Sequence, residues 1–273
     1  MKYSVLMSVY KKDNPDFLKL ALESVYDQQR RKPDEIVVVF DGPLTEQLYA
    51  ILDAFREGKE QVVFYYPQAE NKGLGEALRI GSGHCTGDYI FRMDSDDISH
   101  PKRFELQSEY MESHPEIDVL GADIAEFCHD SREENQRRRA CPEKHEDIVR
   151  MGKRRNPMNH VTVCIKKAAL EKCGGYENVL LLEDYYLWTK MIASGCRLAN
   201  IREALVHVRI GNGFYARRGK KARIKGWKTL QKYMLSHGMI SKADAAMNMI
   251  YVVGFTYCPE IIRKFVYTYF LRT

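Results

Sequence analysis

Apolar runs alternate with helix-like segments over the first 100 residues, and this alternation constrains the fold more than any other feature. Four short, nearly continuous apolar runs are typical of buried strands: residues 4–10, 35–40, 62–66 and 89–93. Between them apolar residues recur at helical spacing, and Asn14-Pro15 is a helix-start signal. The pattern predicts an α/β, Rossmann-like fold with a mostly parallel sheet and helices on both faces.

Tyr10, Asp41 and Asp94 each lie where a separate predicted strand ends. Parallel strands present their carboxyl ends at one edge of the sheet, and ligands of such sheets bind at that edge. We therefore expect these three residues to share one site.

The segment Asp94-Ser95-Asp96-Asp97 places three carboxylates within four residues. Folding them together at a strand end is costly unless a cation is present. Oxygen ligands of this kind suit Mg²⁺ or Mn²⁺, which commonly bridge substrate phosphates. The alternative is an acidic turn solvated by water, but its place after a buried strand favours the metal site.

The rest of the chain carries less regular signals. Predicted elements are a helix over 101–114, strands over 118–124, 161–165 and 202–210, and a helix over 183–192. The highly charged stretch 131–146 predicts a mobile loop. Residues 224–237 and 243–269 predict tail helices, broken at Pro259.

Composition narrows the functional classes. The net charge of +5 does not by itself imply nucleic acid, and we expect no nucleic-acid partner. Seven cysteines without a C-x-x-C pair argue against a disulfide framework or a zinc site and favour a reducing, cytoplasmic compartment. The first apolar run is too short for a signal peptide, and no run is long enough for a clear transmembrane helix.

Seven ordered motifs resemble glycosyltransferase family 2, whose members have the GT-A fold. They are Ser4–Tyr10, Leu22–Val25 with Gln28-Gln29, Glu35–Gly42, Asn71–Gly75, Gly87–Ile90, Met93–Asp97 and Glu183-Asp184. The resemblance covers roughly residues 3–210 and is nearest to the bacterial branch that builds exopolysaccharides and O-antigens. It implies inverting transfer of a hexose or N-acetylhexosamine from a nucleotide sugar, expected to be a UDP-sugar, to a hydroxyl of a glycan acceptor.

The same resemblance implies a domain division. We expect a GT-A catalytic domain at 1–215, with a nucleotide-binding half at 1–100 and an acceptor-binding half at 101–215. A basic and aromatic helical tail at 216–273 follows it.

The resemblance assigns nucleotide contacts to the first strand ends and to the loop before the third helix: Ser8, Val9, Tyr10, Asp41, Asn71, Lys72, Gly73 and Arg79. Asp41 is the candidate for the nucleobase, since a carboxylate can accept the imide N–H of uracil. The alternative for Asp41 is an Asx-turn before Gly42. Gly73 would let the backbone approach a ligand closely, and a simple helix cap is its alternative.

Within the acidic segment the resemblance divides the roles. Asp94, with Ser95, would contact the ribose, and Asp96 would be the main ligand of Mn²⁺ or Mg²⁺ between the diphosphate oxygens. Asp97 and Asp94 complete the candidate metal set. The cation would neutralise the leaving nucleoside diphosphate.

Glu183-Asp184 is the second acidic pair. The resemblance makes Asp184 the general base that takes the proton of the acceptor hydroxyl, and Glu183 a residue that orients the acceptor or the base. The alternative is that both carboxylates only complement the dipole at a helix start.

The family resemblance also places His160 at the border of the acceptor pocket, although a lone histidine is more often structural. Many relatives carry a histidine after the last strand, whereas this chain has Gly211 there and His207 four residues earlier. Metal ligation by histidine is therefore in doubt. Arginines could hold the phosphates instead: Arg209, Arg217 and Arg218.

Basic residues at 217–228 followed by aromatic helices suit an interfacial helix on an anionic membrane, and a helical cap on the catalytic domain is the alternative. The membrane interpretation fits an acceptor linked through pyrophosphate to a polyprenyl lipid, used at the inner face of the bacterial plasma membrane.

A nucleotidyltransferase and a non-catalytic nucleotide- or membrane-binding module are the competing functions. The sequence leaves open whether the chain forms a homo-oligomer.

Overall fold

The computed structural model describes residues 1–127, 137–210 and 222–259. Its strands are β1 Tyr3–Val9, β2 Glu35–Phe40, β3 Val63–Pro67, β4 Tyr89–Met93, β5 Ile98–Ser99, β6 Val119–Phe127, β7 Arg137–Arg139, β8 Cys164–Lys166 and β9 Leu198–Arg209. Its helices are α1 Pro15–Val25, α2 Glu46–Arg56, α3 Leu74–His84, α4 Arg103–Ser113, α5 His145–Gly152, α6 Lys167–Lys172, α7 Glu183–Ala193, α8 Ala222–Ser236 and α9 Lys242–Tyr257. A 3₁₀ turn spans His160–Thr162.

The strands form one sheet in the order β3-β2-β1-β4-β8-β6-β9-β5, with β7 paired to β6. Strands β3, β2, β1 and β4 are parallel, because a helix connects each consecutive pair. Only β8 interrupts this direction between β4 and β6, and β6 is again parallel to β9. The predicted α/β architecture with a mostly parallel sheet is confirmed.

Two apolar clusters cover the two faces of the sheet. Alternate residues of a strand point to opposite faces, so Val5 and Met7 pack with the cluster that includes α1 and α2. Leu6 packs with the cluster that includes α3 and α7. Because both faces are buried, β1 and β2 are apolar almost throughout.

Helix α1 begins as the sequence predicts. The Asn14 side chain accepts hydrogen bonds from the backbone N–H groups of Asp16 and Phe17, and Pro15 occupies the first turn. This cap ends the loop over residues 10–13 and so determines where that loop leaves β1.

The prediction of a mobile loop over 131–146 is wrong where the structure describes it. Arg137–Arg139 forms β7, antiparallel to β6, and α5 begins at His145. Arg138 pairs with the fully buried carboxylate of Asp123. This ion pair holds the charged strand β7 on the sheet. Residues 131–136 lie outside the described residues.

Two further boundaries differ from the predictions. The strand expected over 161–165 is a 3₁₀ turn followed by the shorter β8. The last strand begins at Leu198 instead of Arg202, because it pairs along the whole of β6.

The described tail helices pack on the sheet domain. Trp227, Leu230 and Met234 of α8 join a buried cluster with Leu182 and Tyr185, at the start of α7. Gly226 allows this approach, since a Cβ there would lie 2.7 Å from the carbonyl oxygen of Leu180. These helices therefore cap the α7 side of the domain. The boundary at 215/216 stays a prediction, because residues 211–221 lie outside the described part of the chain.

Candidate active site

The carboxyl ends of β1, β2 and β4 lie side by side. Val9 is in register with Phe40 and Met7 with Met93, and the Asp41 N–H donates to the Val9 carbonyl at 2.8 Å. Tyr10 and Asp94 continue from β1 and β4 at the same edge, so the predicted convergence of three strand ends is confirmed.

Asp41 joins two loops at this edge. Its buried carboxylate accepts hydrogen bonds from the backbone N–H of Lys72 at 2.8 Å and of Gly73 at 3.0 Å, and Asn71 donates to its carbonyl. Gly42, with φ +86°, permits the approach, because a Cβ there would lie 2.7 Å from the Asn71 nitrogen. Asp41 therefore braces the neighbouring loop instead of capping its own turn, and a carboxylate can still accept a further hydrogen bond.

The other predicted nucleotide contacts differ in accessibility. Ser8 is half-buried and Tyr10 is 39% exposed, so both can face a ligand. The Val9 side chain is fully buried in the core, so only its backbone faces the strand edge, and its contact with the nucleotide stays a prediction. The reason for this burial is strand alternation, which turns the side chain to the α1 side of the sheet.

Two predicted cations of this region engage neighbouring acids. Lys72 pairs with Glu70 at 3.2 Å, and Arg79 pairs with Glu76 on its own helix at 2.7 Å. Both cationic side chains are exposed, and their contacts with a nucleotide stay predictions.

The acidic segment after β4 brings its three carboxylates together. One oxygen each of Asp94, Asp96 and Asp97 lies within 4.8 Å of the others. Asp97 is buried and accepts the backbone N–H of Arg209 at 2.8 Å, whereas Asp96 is exposed. Burial, and then the charges of Asp96 and Asp94, raise the pKa of Asp97 well above its ordinary value. An all-oxygen donor set under such repulsion fits a hard divalent cation.

Asp13 is a site residue that the sequence analysis missed. Its carboxylate accepts hydrogen bonds from the Ser95 hydroxyl at 2.7 Å and from the Tyr10 N–H at 3.1 Å. Burial, followed by the nearby charges of Asp96 and Asp94, raises its pKa to about 6. Its position in the loop directly after β1 was the available signal.

Arg209 holds the acidic segment from the β9 side. Its guanidinium carbon lies 3.6 Å from the ring centroid of Phe17 and 4.7 Å from that of Phe127. Its Nε donates to the Asp96 carbonyl at 3.4 Å. The cation predicted to hold phosphate thus lies beside the acidic segment, fixed by two aromatic rings. Arg217, Arg218 and Gly211 lie outside the described residues.

The second acidic pair opens α7. Asp184 accepts hydrogen bonds from the Asn156 side chain and from the Tyr185 N–H. Burial raises the pKa of Asp184, while Tyr185 N–H, Asn156, Arg92 and Arg139 oppose that shift. A carboxylate whose pKa is raised in this way suits a general base.

Glu183 anchors the turn before α7. Burial raises its pKa, and its carboxylate accepts the N–H of Leu181, a residue held at φ +64°. A Cβ at Gly75 would lie 2.8 Å from the Glu183 side chain, so the start of α3 packs directly against this turn.

The two predicted histidines occupy different places. His160 Nε2 lies 3.0 Å from the Tyr176 hydroxyl, and burial lowers the pKa of His160 well below its ordinary value. His160 therefore contacts Tyr176 and Trp188 in a partly buried cluster, and its place at the border of the acceptor pocket stays a prediction. His207 is paired with Ile98 between β9 and β5.

The sequence matches the description Glycosyl transferase family 2 over residues 4–177. It is 40% identical, over 100% of both chains, to an uncharacterized glycosyltransferase of Haemophilus influenzae. It is 39% identical to the amylovoran biosynthesis glycosyltransferase of Erwinia amylovora, over 82% of this chain and 80% of that one. It is 34% identical to the UDP-Gal:alpha-D-GlcNAc-diphosphoundecaprenol beta-1,3-galactosyltransferase of Escherichia coli, over 99% and 97%.

Solved structures share the fold. S. aureus TarS in complex with UDP-GlcNAc superposes with a TM-score of 0.69 at 16% identity, covering 98% of this chain and 75% of that one. A mannosyltransferase of Pyrobaculum calidifontis in complex with GDP-Man and Mn²⁺ gives a TM-score of 0.63 at 14% identity, covering 96% and 71%. At these identities the likeness establishes the GT-A fold alone.

Proposed function

The chain belongs to glycosyl transferase family 2, and we propose that it moves a sugar from a UDP-sugar, with inversion, to a hydroxyl of a polyprenyl-diphosphate-linked glycan. The relatives of this chain include glycosyltransferases of bacterial polysaccharide biosynthesis, and the chain is a glycosyltransferase of the same kind. The family also argues against the nucleotidyltransferase and non-catalytic alternatives.

One observation carries the proposal. Arg92 on β4 pairs with Asp94 of the acidic segment and lies on the sheet face that α7 covers, since Ile90, two residues earlier, packs in the cluster of Leu187 and Trp188. The turn that opens α7, with Glu183 and the base candidate Asp184, packs against the start of α3 at Gly75. A site for a diphosphate-bound cation and a site for a hydroxyl base therefore adjoin each other, as a one-step sugar transfer requires.

The UDP assignment rests on Asp41 and on two similar proteins. Asp41 presents a braced carboxylate at the strand edge beside the exposed ring of Tyr10, which suits a uracil imide N–H and the face of a base. The galactosyltransferase relative is named for UDP-Gal, and TarS was solved with UDP-GlcNAc. The polyprenyl-diphosphate acceptor is inferred from the name of the same galactosyltransferase.

Asp94, Asp96 and Asp97 would hold a divalent cation, and Mn²⁺ in the mannosyltransferase complex supports that choice of ion over a monovalent one. A bound cation supplies positive charge that neutralises the diphosphate leaving group. Arg209 adds a fixed positive charge beside the same segment.

The remaining chemistry belongs to Asp184. Its carboxylate removes the proton of the acceptor hydroxyl while that oxygen bonds to the anomeric carbon, and the bond from this carbon to the diphosphate oxygen breaks. UDP leaves with the bonding electrons, and a single displacement inverts the anomeric configuration. Asn156 orients the base through its amide, and Glu183 supports the turn that carries it.

The direct test supplies the purified chain with Mn²⁺, a panel of UDP-sugars and a polyprenyl-diphosphate-linked N-acetylhexosamine. Release of UDP, together with an extended lipid-linked glycan of inverted configuration by NMR, is the expected result. Formation of UTP and a sugar 1-phosphate when pyrophosphate is added with the UDP-sugar would instead identify a nucleotidyltransferase. Affinity for UDP without turnover on any lipid acceptor would contradict the proposed acceptor class.

We also propose peripheral membrane contact through the described tail helices. Helix α9 exposes an apolar stripe of Met247, Ile250, Tyr251 and Tyr257. Exposed Lys225, Lys228 and Lys232 lie on one face of the neighbouring α8. An apolar stripe beside basic residues suits an anionic lipid surface. None of the described helices is long and apolar enough to cross a bilayer.

Replacing Ile250 and Tyr251 by glutamate is expected to reduce co-flotation with vesicles containing anionic phospholipid by at least about threefold, because it places two charges on the apolar stripe. The matched control is A50E/A54E, which adds the same charge on exposed positions of α2. Equal loss of flotation in both variants would show that net charge alone governs binding and would exclude α9 as the contact.

A further inference from the structure

Arg92 has an unusual position for a charged side chain. It lies on β4, in the middle of the sheet, and is only 2% exposed. A buried guanidinium is costly unless its charge and its N–H groups are used. Its Nη2 pairs with Asp94. Its Nε and Nη1 are buried without a hydrogen-bond partner among the residues that the structure describes.

The charge of Arg92 acts on both halves of the site. It pairs with Asp94 on the donor side and lowers the pKa of Asp97. On the acceptor side it lowers the pKa of Glu183 and Asp184. The acidic segment and the start of α7 are far apart in sequence, and this guanidinium is a cation common to both.

The geometry excludes direct contact between Arg92 and the substrate in this arrangement. Its unpaired nitrogens are closed to solvent. The side chain lies on the α7 face of the sheet, because Ile90 packs in the cluster that contains Tyr176 and Trp188, whereas Phe91 packs in the opposite cluster. The charge of Arg92 is therefore paired with one carboxylate, that of Asp94. It also interacts with the other acids of the site, because charges interact strongly in a buried medium of low dielectric.

We propose that Arg92 is a positioning residue for the transfer reaction: a fixed cation beneath the site that orients Asp94 for the donor and supplies positive charge on the α7 side, where Asp184 accepts the hydroxyl proton. This inference rests on the proposed base role of Asp184. In this role the buried charge of Arg92 links the donor half of the site to the acceptor half.

Several groups face Asp184 and determine its protonation together. Arg92 from β4 and Arg139 from β7 are the cations; Asn156 from the loop before the 3₁₀ turn and the Tyr185 N–H are hydrogen-bond donors. Glu183 on the same helix and the Tyr176 hydroxyl are the neighbouring titratable groups. Of the two cations, Arg92 has the larger effect on the pKa of Asp184.

The experiment measures the pH dependence of kcat in R92M, R92K and the wild type. The base works only when ionised, so activity falls as the pH drops through its pKa. R92M removes an opposing positive charge and should move this acid limb upward by about one pH unit, which is roughly a tenfold loss of rate on the acid side. R92K keeps the charge and should retain a limb near the wild type, with a lower kcat because the pairing with Asp94 changes.

The matched control is R103M. Arg103 is equally buried, donates to the backbone carbonyl of Arg92, and does not contribute to the pKa of Asp184. Its replacement should lower thermal stability and leave the acid limb in place. The proposal would be overturned if kcat fell equally in R92M and R92K while the acid limb of the pH profile stayed in place. Arg92 would then have only a structural role. Should R92M fail to fold, a displaced limb in R92K would overturn it as well.

The failure of this inference can be told apart from failure of the proposed function. If D184N retains near-normal turnover, the base assignment falls and the proposal for Arg92 falls with it. If D184N is inactive while the R92M limb is unmoved, the base stands and only the role of Arg92 is lost.

Discussion

Asp184→Asn is expected to lower turnover by about 10²–10⁴-fold, the range that a positioned general base contributes. Asparagine keeps the shape of the side chain but cannot take a proton at neutral pH. UDP and metal binding should remain, because the acidic segment after β4 is untouched. The measurement is kcat for UDP release with a lipid-linked acceptor, alongside the affinity for UDP by calorimetry.

The control for this prediction addresses the helix-dipole alternative. Asp147 is a first-turn carboxylate of α5, as Asp184 is of α7. Removing a carboxylate that only complements a dipole costs about 0.3–1 kcal/mol of stability, so D147N should lose little stability and no activity. If D184N behaves like D147N in turnover, Asp184 is a helix-start residue and the base must be sought elsewhere.

Asp96→Ala is expected to abolish transfer and, unlike D184N, to weaken metal-supported UDP binding by at least about 100-fold. Asp96 is the exposed member of the three carboxylates and is open to an ion shared with a diphosphate. Changes that disturb metal ligands indirectly already cost about 10–100-fold in affinity, so loss of a ligand should cost more. Thermal unfolding with UDP, with and without Mn²⁺, measures the effect.

Asp88→Ala provides the matched control for the metal prediction. Asp88 is an exposed aspartate at the opposite end of β4, so its loss changes the net charge equally without touching the site. It should keep the stabilisation that Mn²⁺ and UDP confer together. A D96A protein with the same stabilisation as the wild type would remove Asp96 from the metal set.

The sequence predicted the strand-end half of the site because its signals are local. Apolar runs identify the strands, and a parallel sheet brings their carboxyl ends to one edge. Tyr10, Asp41 and Asp94 could therefore be grouped before their contacts were known. The partner of Asp41 could not be predicted this way, since the N–H groups of Lys72 and Gly73 lie more than 30 residues away.

The residues that the sequence analysis missed owe their role to contacts between distant segments. Asp13 accepts a hydrogen bond from Ser95, 82 positions away in the sequence, and the residues next to Asp13 in the sequence do not indicate this partner. Arg92 is the only charged residue of a strand that is otherwise apolar or aromatic. Its charge affects Asp184 only because α7 packs on the same face of the sheet. Arg138 likewise joins the sheet through the buried Asp123.

The described tail illustrates the same limit. Its helices carry apolar residues on more than one face, and sequence alone could not decide which face covers the domain. Packing uses Trp227, Leu230 and Met234 against the start of α7 and leaves the stripe at Ile250 and Tyr251 exposed. The tail is therefore a cap on one side and a candidate lipid contact on another.

By itself, the sequence determined the α/β class, the strand ends that meet at one edge of the sheet and the acidic residues proposed to carry the chemistry, because periodicity and residue type are local properties. Only the tertiary structure decided which groups surround those acids: Arg92 beneath Asp94, Asp13 beside Ser95, and Asn156 on Asp184. These contacts set charge, burial and therefore pKa. They depend on how distant elements pack, which no local pattern encodes.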